Sequence, residues 1–116
     1  MTASERDQRT TVYVAGPMTG LPEFNYPAFN AAAATLRGLG YQVLNPVDVE
    51  GRNPTPGQPQ DWDWYMRHAL RMVLDADAIA LLPHWEASRG ATLEVNVARA
   101  LGMECARLAV WVERAA

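Results

Sequence analysis

The residue types able to do chemistry in this 116-residue chain are few, and most fall in one stretch, Ser88-Arg89-Gly90-Ala91-Thr92-Leu93-Glu94. Ser88 offers a hydroxyl, Arg89 a fixed positive charge, and Gly90 lets a backbone come close. If a helix begins here, its unpaired N–H groups favour an anion by roughly 0.3–1 kcal/mol at an exposed site. Glu94 then falls in the first turns of that helix. A carboxylate near a positive helix end is expected to stay ionised, which suits a nucleophile or an electrostatic stabiliser rather than an acid. The competing reading is a helix-start glutamate that only complements the dipole.

A second stretch, Gly16-Pro17-Met18-Thr19-Gly20, could cradle an anion with backbone amides, although it matches neither G-x-G-x-x-G nor the P-loop pattern. His68 and His84 lie far apart in the chain and lack cysteine or close carboxylate support, so structural roles are expected for both and no metal or organic cofactor is implied. Cys105 is the only cysteine, which excludes a disulfide framework. It reads as a small apolar residue near the last strand. The ten basic residues are all arginine, which excludes Schiff-base chemistry and a P-loop lysine. There is no basic run, and the net charge is −3, so a nucleic-acid polymer is not an expected partner. One or two arginines with backbone N–H groups still suffice for a small anion.

These residues need elements to hold them. Thr11 to Ala15 is a β-rich run ending at Gly16-Pro17, and 1–10 is expected to be a flexible segment ahead of a single domain over 11–116. Asn25 can cap a helix from Tyr26 to Leu39, with Pro27 in its first turn and Gly40 closing it. Tyr41 to Asn45 reads as strand two. Pro46 to Gln60 is the longest irregular piece, and loops of that length are commonly covers over a site or mobile segments. Asp61 can cap a helix carrying Trp64, Tyr65, Ala69, Met72 and Val73. Asp77 to Pro83 is an uninterrupted apolar run, as in a central parallel strand. A third helix reaches about Leu101-Gly102, and Ala106 to Val112 reads as a last strand.

The alternation βαβαβαβ implies a three-layer α/β fold. It resembles flavodoxin or Rossmann domains, with a parallel sheet of four or five strands in the order 2-1-3-4 and helices on both faces. In such sheets ligands sit beyond the carboxyl ends of the strands, where strand order reverses. That edge receives Gly16, Met18, Thr19 and Asn25 after strand one, and Asn45 and Asp48 after strand two. After strand three it receives His84, Trp85, Glu86, Ser88, Arg89 and Gly90. Asp75 and Asp77 precede strand three and fall at the opposite end. Trp85 is placed to wall a pocket or an interface, and Trp111 reads as core.

The stretches VYVAGPMTG, FNYPAFN and LLPHWEASRGATLEVNVARALG resemble the nucleoside 2-deoxyribosyltransferase-like superfamily. Within it, the likeness is to a small phage and bacterial domain family of unassigned function, and it runs from Tyr13 to about Gly102. The resemblance implies cleavage or exchange of the N-glycosidic bond of 2′-deoxynucleosides or their 5′-monophosphates. It places Glu94 as the nucleophile that attacks C1′ of the sugar, as in retaining glycosidases. Tyr13 matches an aromatic position near the sugar in that family, though it also reads as core. Ser88, six residues before Glu94, resembles the serine of 2′-deoxynucleoside 5′-phosphate N-hydrolases, which binds the phosphate. A carboxylate there would repel that group.

One departure stands out. The family pattern has an aspartate eight residues before the Asp that opens strand three, and here that position is Ala69. Asp48, Asp61, Asp63 or His68 would have to replace it, or acid assistance of roughly 10²–10⁴-fold is lost. The sequence stops soon after Val112, without the C-terminal segment that completes a neighbour's site in larger transferases. The expected partner is a small nucleotide or nucleoside in a cytoplasmic, non-membrane protein, because no apolar run approaches a membrane span. A homo-oligomer is expected because Tyr26, Phe29, Trp62 and Trp64 exceed what one thin sheet needs. A nucleotide-binding sensor or regulatory module without chemistry is the alternative function on the same fold.

Overall fold

The structure, a computed structural model, describes residues 10–115. The expectation of a flexible segment over 1–10 lies, up to residue 9, outside the described residues. Four strands, β1 (Thr11–Ala15), β2 (Gln42–Leu44), β3 (Ala78–Leu81) and β4 (Glu104–Arg107), form one parallel sheet in the order 2-1-3-4. The registers pair Val12 with Val43, Val14 with Ala80 and Ile79 with Cys105. The helices are α1 (Tyr26–Gly38), α2 (Trp62–Asp75), α3 (Arg89–Ala100) and α4 (Leu108–Ala115). The order expected from the alternation of elements is the order found.

Strand side chains alternate between two faces, and each face has its own core. Val12, Val14 and Ala80 pack with Phe29, Ala32, Ala33 and Leu36 of α1 and with Trp111 of α4. Tyr13, Ala15, Ile79 and Leu81 pack with Ala69 and Val73 of α2 and with Ala91, Val95 and Ala98 of α3. The result is three layers, with the central strands β1 and β3 covered on both sides. Gly40 has φ +100 just after α1, the left-handed stop that its type suggested. Gly16 ends β1 for a packing reason: a Cβ there would lie 2.7 Å from the Leu82 Cβ. Asp77, at the far end of the sheet, accepts a hydrogen bond from the Thr11 N–H at 2.8 Å and so ties the start of β1 to β3.

The C-terminal reading requires correction. Ala106 to Val112 is not a strand: β4 ends at Arg107, and Leu108–Ala115 is a helix. The run LAVWVER suits either period by composition, but Leu108, Trp111 and Ala115 share a helical face and pack on the α1 side of the sheet. The Trp111 indole N–H settles the choice by donating to the carbonyls of Ile79 and Ala106, each at 3.1 Å. A strand would turn that ring alternately with its neighbours and lose both bonds.

The segment 46–60 is also more ordered than its Pro/Gly content suggested. Pro46–Arg52 is a 3-10 helix, and the Asn45 side chain caps it by accepting from the Val47 N–H at 3.1 Å. Buried Asn53 donates to Glu50 (2.8 Å) and to the Gln58 carbonyl (2.9 Å), and accepts from the Thr55 N–H and the Gln60 amide, both at 2.9 Å. The Tyr65 hydroxyl then donates to Glu50 at 2.8 Å, which pins the segment to α2.

Candidate functional site

The starts of α1, α2 and α3 and the loop after β1 surround a cleft of about 730 Å³ at the carboxyl edge of the sheet. That volume suits a small-molecule site. Ser88 caps α3: its hydroxyl oxygen accepts from the Ala91 N–H at 3.1 Å, and its carbonyl accepts from the Thr92 N–H at 3.0 Å. Accepting from the helix leaves the hydroxyl proton free to be donated to a ligand. The N–H groups of Arg89 and Gly90, in the first turn, have no carbonyl within the helix to meet. Met18, Thr19, Asn25, Ser88, Arg89 and Gly90 all line this cleft. So six residues anticipated from the sequence meet in one place.

Two of them sit there for different reasons from those expected. Asn25 does not cap α1. It has a left-handed backbone, φ 60, following Glu23 and Phe24 at φ 53 and 54. Its amide instead donates to the Pro17 carbonyl at 2.9 Å and links the two loops that form one wall. Gly90 also packs closely on α2: a Cβ there would lie 3.1 Å from the Met66 sulfur, which would have to give by a few tenths of an ångström.

The other candidates, Tyr13, Gly16, Asp48, Trp85 and Glu94, are not on the cleft wall. Gly16 lies beneath it, against Leu82. Trp85 is half-buried against the α2–α3 side of the core, with the Arg99 guanidinium 5.7 Å from its ring, so it walls neither cavity. Asp48 faces a separate groove of about 410 Å³ between the 3-10 helix and α2, with Arg52, His68, Arg71 and Asp75. Asp75, the last residue of α2, stands just before β3 at the end of the sheet opposite its carboxyl edge, as expected, and also lines this groove. His68 stacks on Trp64 at 4.4 Å and opens onto that groove, away from Glu94. Ala69 is buried in the apolar cluster that contains Tyr13, so no carboxylate stands at the position where the family pattern has one.

The last two, Glu94 and Tyr13, form a pair. Glu94 is 5% exposed, and its partner is the fully buried Tyr13, whose hydroxyl donates to the Glu94 Oε2 across 81 residues of sequence. Burial pushes the Glu94 carboxyl up to about 8, against which the Tyr13 hydrogen bond pulls downward. Burial, followed by the neighbouring charge of Glu94, holds the Tyr13 hydroxyl well above its usual value. Burial thus works against the ionised carboxylate that the helix start led us to expect. Glu94 lies a turn deeper than an exposed helix start, where desolvation outweighs a partial dipole charge. Gly90, four residues earlier on the same helical face, lines the cleft, whereas Glu94 does not.

Trp62 was not anticipated. It lines the cleft at the start of α2, and the Arg89 guanidinium lies 3.7 Å from its ring centroid. Its place directly after the potential cap Asp61, at a helix start on the ligand edge, was the available signal. The aromatic surplus that suggested association also has partners inside the chain. Phe29 is core, Tyr26 contacts Phe24 at 5.9 Å, Trp62 carries Arg89, and Trp64 contacts Tyr65 at 4.9 Å. Among the described residues no helix is long and apolar enough to cross a membrane.

The family described as a domain of unknown function, DUF4406, matches residues 10–107. The chain is also similar to the 2-deoxyribosyltransferase from the psychrotolerant bacterium Bacillus psychrosaccharolyticus, with a TM-score of 0.64 and 20% identity. The likeness covers 83% of this chain and 69% of that one. At that identity the shared property is the fold. No curated protein matches the chain.

Proposed function

The chain belongs to the DUF4406 family, and from its deoxyribosyltransferase fold we propose that it cleaves or exchanges the N-glycosidic bond of 2′-deoxynucleoside 5′-monophosphates. The observation that supports this most is the buried Tyr13–Glu94 pair, whose carboxyl sits on the helix that opens at the cleft. Among the described residues the single ion pair is Arg114–Glu104, on the surface, so Glu94 is buried without a compensating cation. A carboxyl held that way costs folding energy and is characteristic of functional sites.

In this reading Ser88, Arg89 and the first N–H groups of α3 take the phosphate, and the sugar reaches down toward Glu94. The Glu94 carboxylate forms a bond to C1′ as the C1′–N bond breaks, and the base leaves with the bonding pair and takes a proton. Water, or a second base, then attacks C1′ and releases Glu94. Only the ionised form can attack, and the Tyr13 hydroxyl holds that form by hydrogen bonding. Met66, whose sulfur packs over Gly90, must shift for the sugar to arrive, which the flexible thioether side chain allows.

A second reading is a nucleotide-binding module without chemistry. It is favoured by two observations: Glu94 lies off the cleft wall, and Ala69 stands in place of an acid. Incubation with a panel of 2′-deoxynucleoside 5′-monophosphates separates the two. Free base released by the wild type and lost in Glu94→Ala supports the enzyme, and tight binding without free base supports the module.

A further inference from the structure

We propose that Trp62 is a positioning residue that holds Arg89 ready for a phosphomonoester, and so sets the preference of the cleft for nucleotides over nucleosides. This rests on the nucleotide reading of the cleft. Arg89 is exposed at the first position of α3 and forms no ion pair among the described residues. Its guanidinium nevertheless has a fixed place, 3.7 Å from the centre of the half-buried Trp62 ring at the start of α2. Both residues line the cleft beside Ser88.

The chemistry of the contact matters more than its strength. A guanidinium held against a ring by its π face keeps its N–H edge for the paired oxygens of a phosphate, and the 3.7 Å approach of the Arg89 Cζ to the Trp62 centroid is close enough for that arrangement. A free arginine at a helix start samples many rotamers and must be ordered on binding. One already stacked loses less on each hydrogen bond formed. Trp62, Ser88, Arg89 and Gly90 line the same cleft, so the cation and the donors of the α3 start face one space. A nucleoside has no anion to meet this group and gains nothing from it. A polymer phosphate backbone is a poor alternative, since the chain has ten arginines, no lysine and a net charge of −3.

The test measures binding, so it does not depend on turnover. Dissociation constants are taken for the four common 2′-deoxynucleoside 5′-monophosphates and the four matching nucleosides, with wild type, Trp62→Ala and Trp62→Phe. The wild type is expected to favour monophosphates by about tenfold, a preference lost in Trp62→Ala and largely restored in Trp62→Phe, whose ring still accepts the cation. Nucleoside affinity should change by less than about twofold, within the range of an exposed contact. An unchanged preference in Trp62→Ala overturns the proposal. So does an equal loss for both ligand classes, which makes Trp62 only a wall, and so does a wild type that shows no preference or no binding. Preference with no free base released leaves the proposal standing and removes the catalytic reading instead.

Discussion

Glu94 is the residue on which most turns, and its burial gives it a measurable pH signature. With its carboxyl held at about 8, base release should rise about tenfold per pH unit up to that value and then level off. Tyr13→Phe removes the hydrogen bond that pulls the carboxyl downward, so the rise should move to higher pH and release at pH 7 should fall. A pH–rate series on the two proteins checks both, and an unmoved profile in the variant would separate Tyr13 from Glu94 ionisation. Stability carries the same sign. Between the ordinary value of 4.5 and about 8 the folded chain keeps a proton that the unfolded chain has lost. Folding free energy therefore should decline with rising pH by up to ~1.4 kcal/mol per unit, and flatten above about 8. Glu94→Gln, which stays neutral, should abolish that slope in denaturant titrations repeated across pH.

At the scale of elements, the α3 start combines a structural and a binding task in one side chain. Ser88→Ala removes the cap bond to Ala91 and should cost about 1 kcal/mol, read as a lower denaturation midpoint. Ser88→Asp keeps a good cap but brings a negative charge to the cleft. It should leave stability nearly unchanged and weaken monophosphate binding far more than nucleoside binding, and equal weakening of both would contradict the phosphate assignment. The C-terminal helix permits a similar separation. Trp111→Phe keeps an aromatic ring on the α1 side but deletes the N–H that meets Ile79 and Ala106. Loss of that shared buried hydrogen bond together with the smaller ring should cost about 1–3 kcal/mol in the same denaturant assay.

Across the whole molecule, the sheet edge and the two packed faces divide the work. The face of α1 and α4 holds an uninterrupted apolar core with Trp111 at its rim, and its polar groups bond to backbone. The face of α2 and α3 instead admits a carboxyl and a phenol amid Ala69, Val73 and Val95. Gly16 stands where both faces meet the cleft. Gly16→Ala would press a methyl to 2.7 Å from Leu82 and should destabilise the chain by about 1–3 kcal/mol, with the cleft distorted as β1 and β3 move apart. Thermal unfolding together with ligand affinity for this one variant reads both effects, and an unshifted midpoint would contradict so close an approach.

The linear chain determined everything that depends on neighbours a few residues apart. The alternation of strand and helix periods and the punctuation at Gly16-Pro17 and Gly40 led to a parallel sheet with helices on both faces, and analogy with flavodoxin-like folds supplied the order 2-1-3-4. They also led to a cleft at its carboxyl edge. Patterns of period two and three and a half are local, so they survive without coordinates. What the tertiary structure alone decided involves groups brought together from afar. The pairing of Tyr13 with Glu94, the seating of Arg89 on Trp62 and the removal of Asp48 to another groove have no trace in local spacing. The upward push on the Glu94 carboxyl belongs with them, because desolvation depends on what closes over a side chain from every direction. The last helix does too, since a run compatible with both periods is resolved only by the carbonyls that Trp111 finds across the sheet.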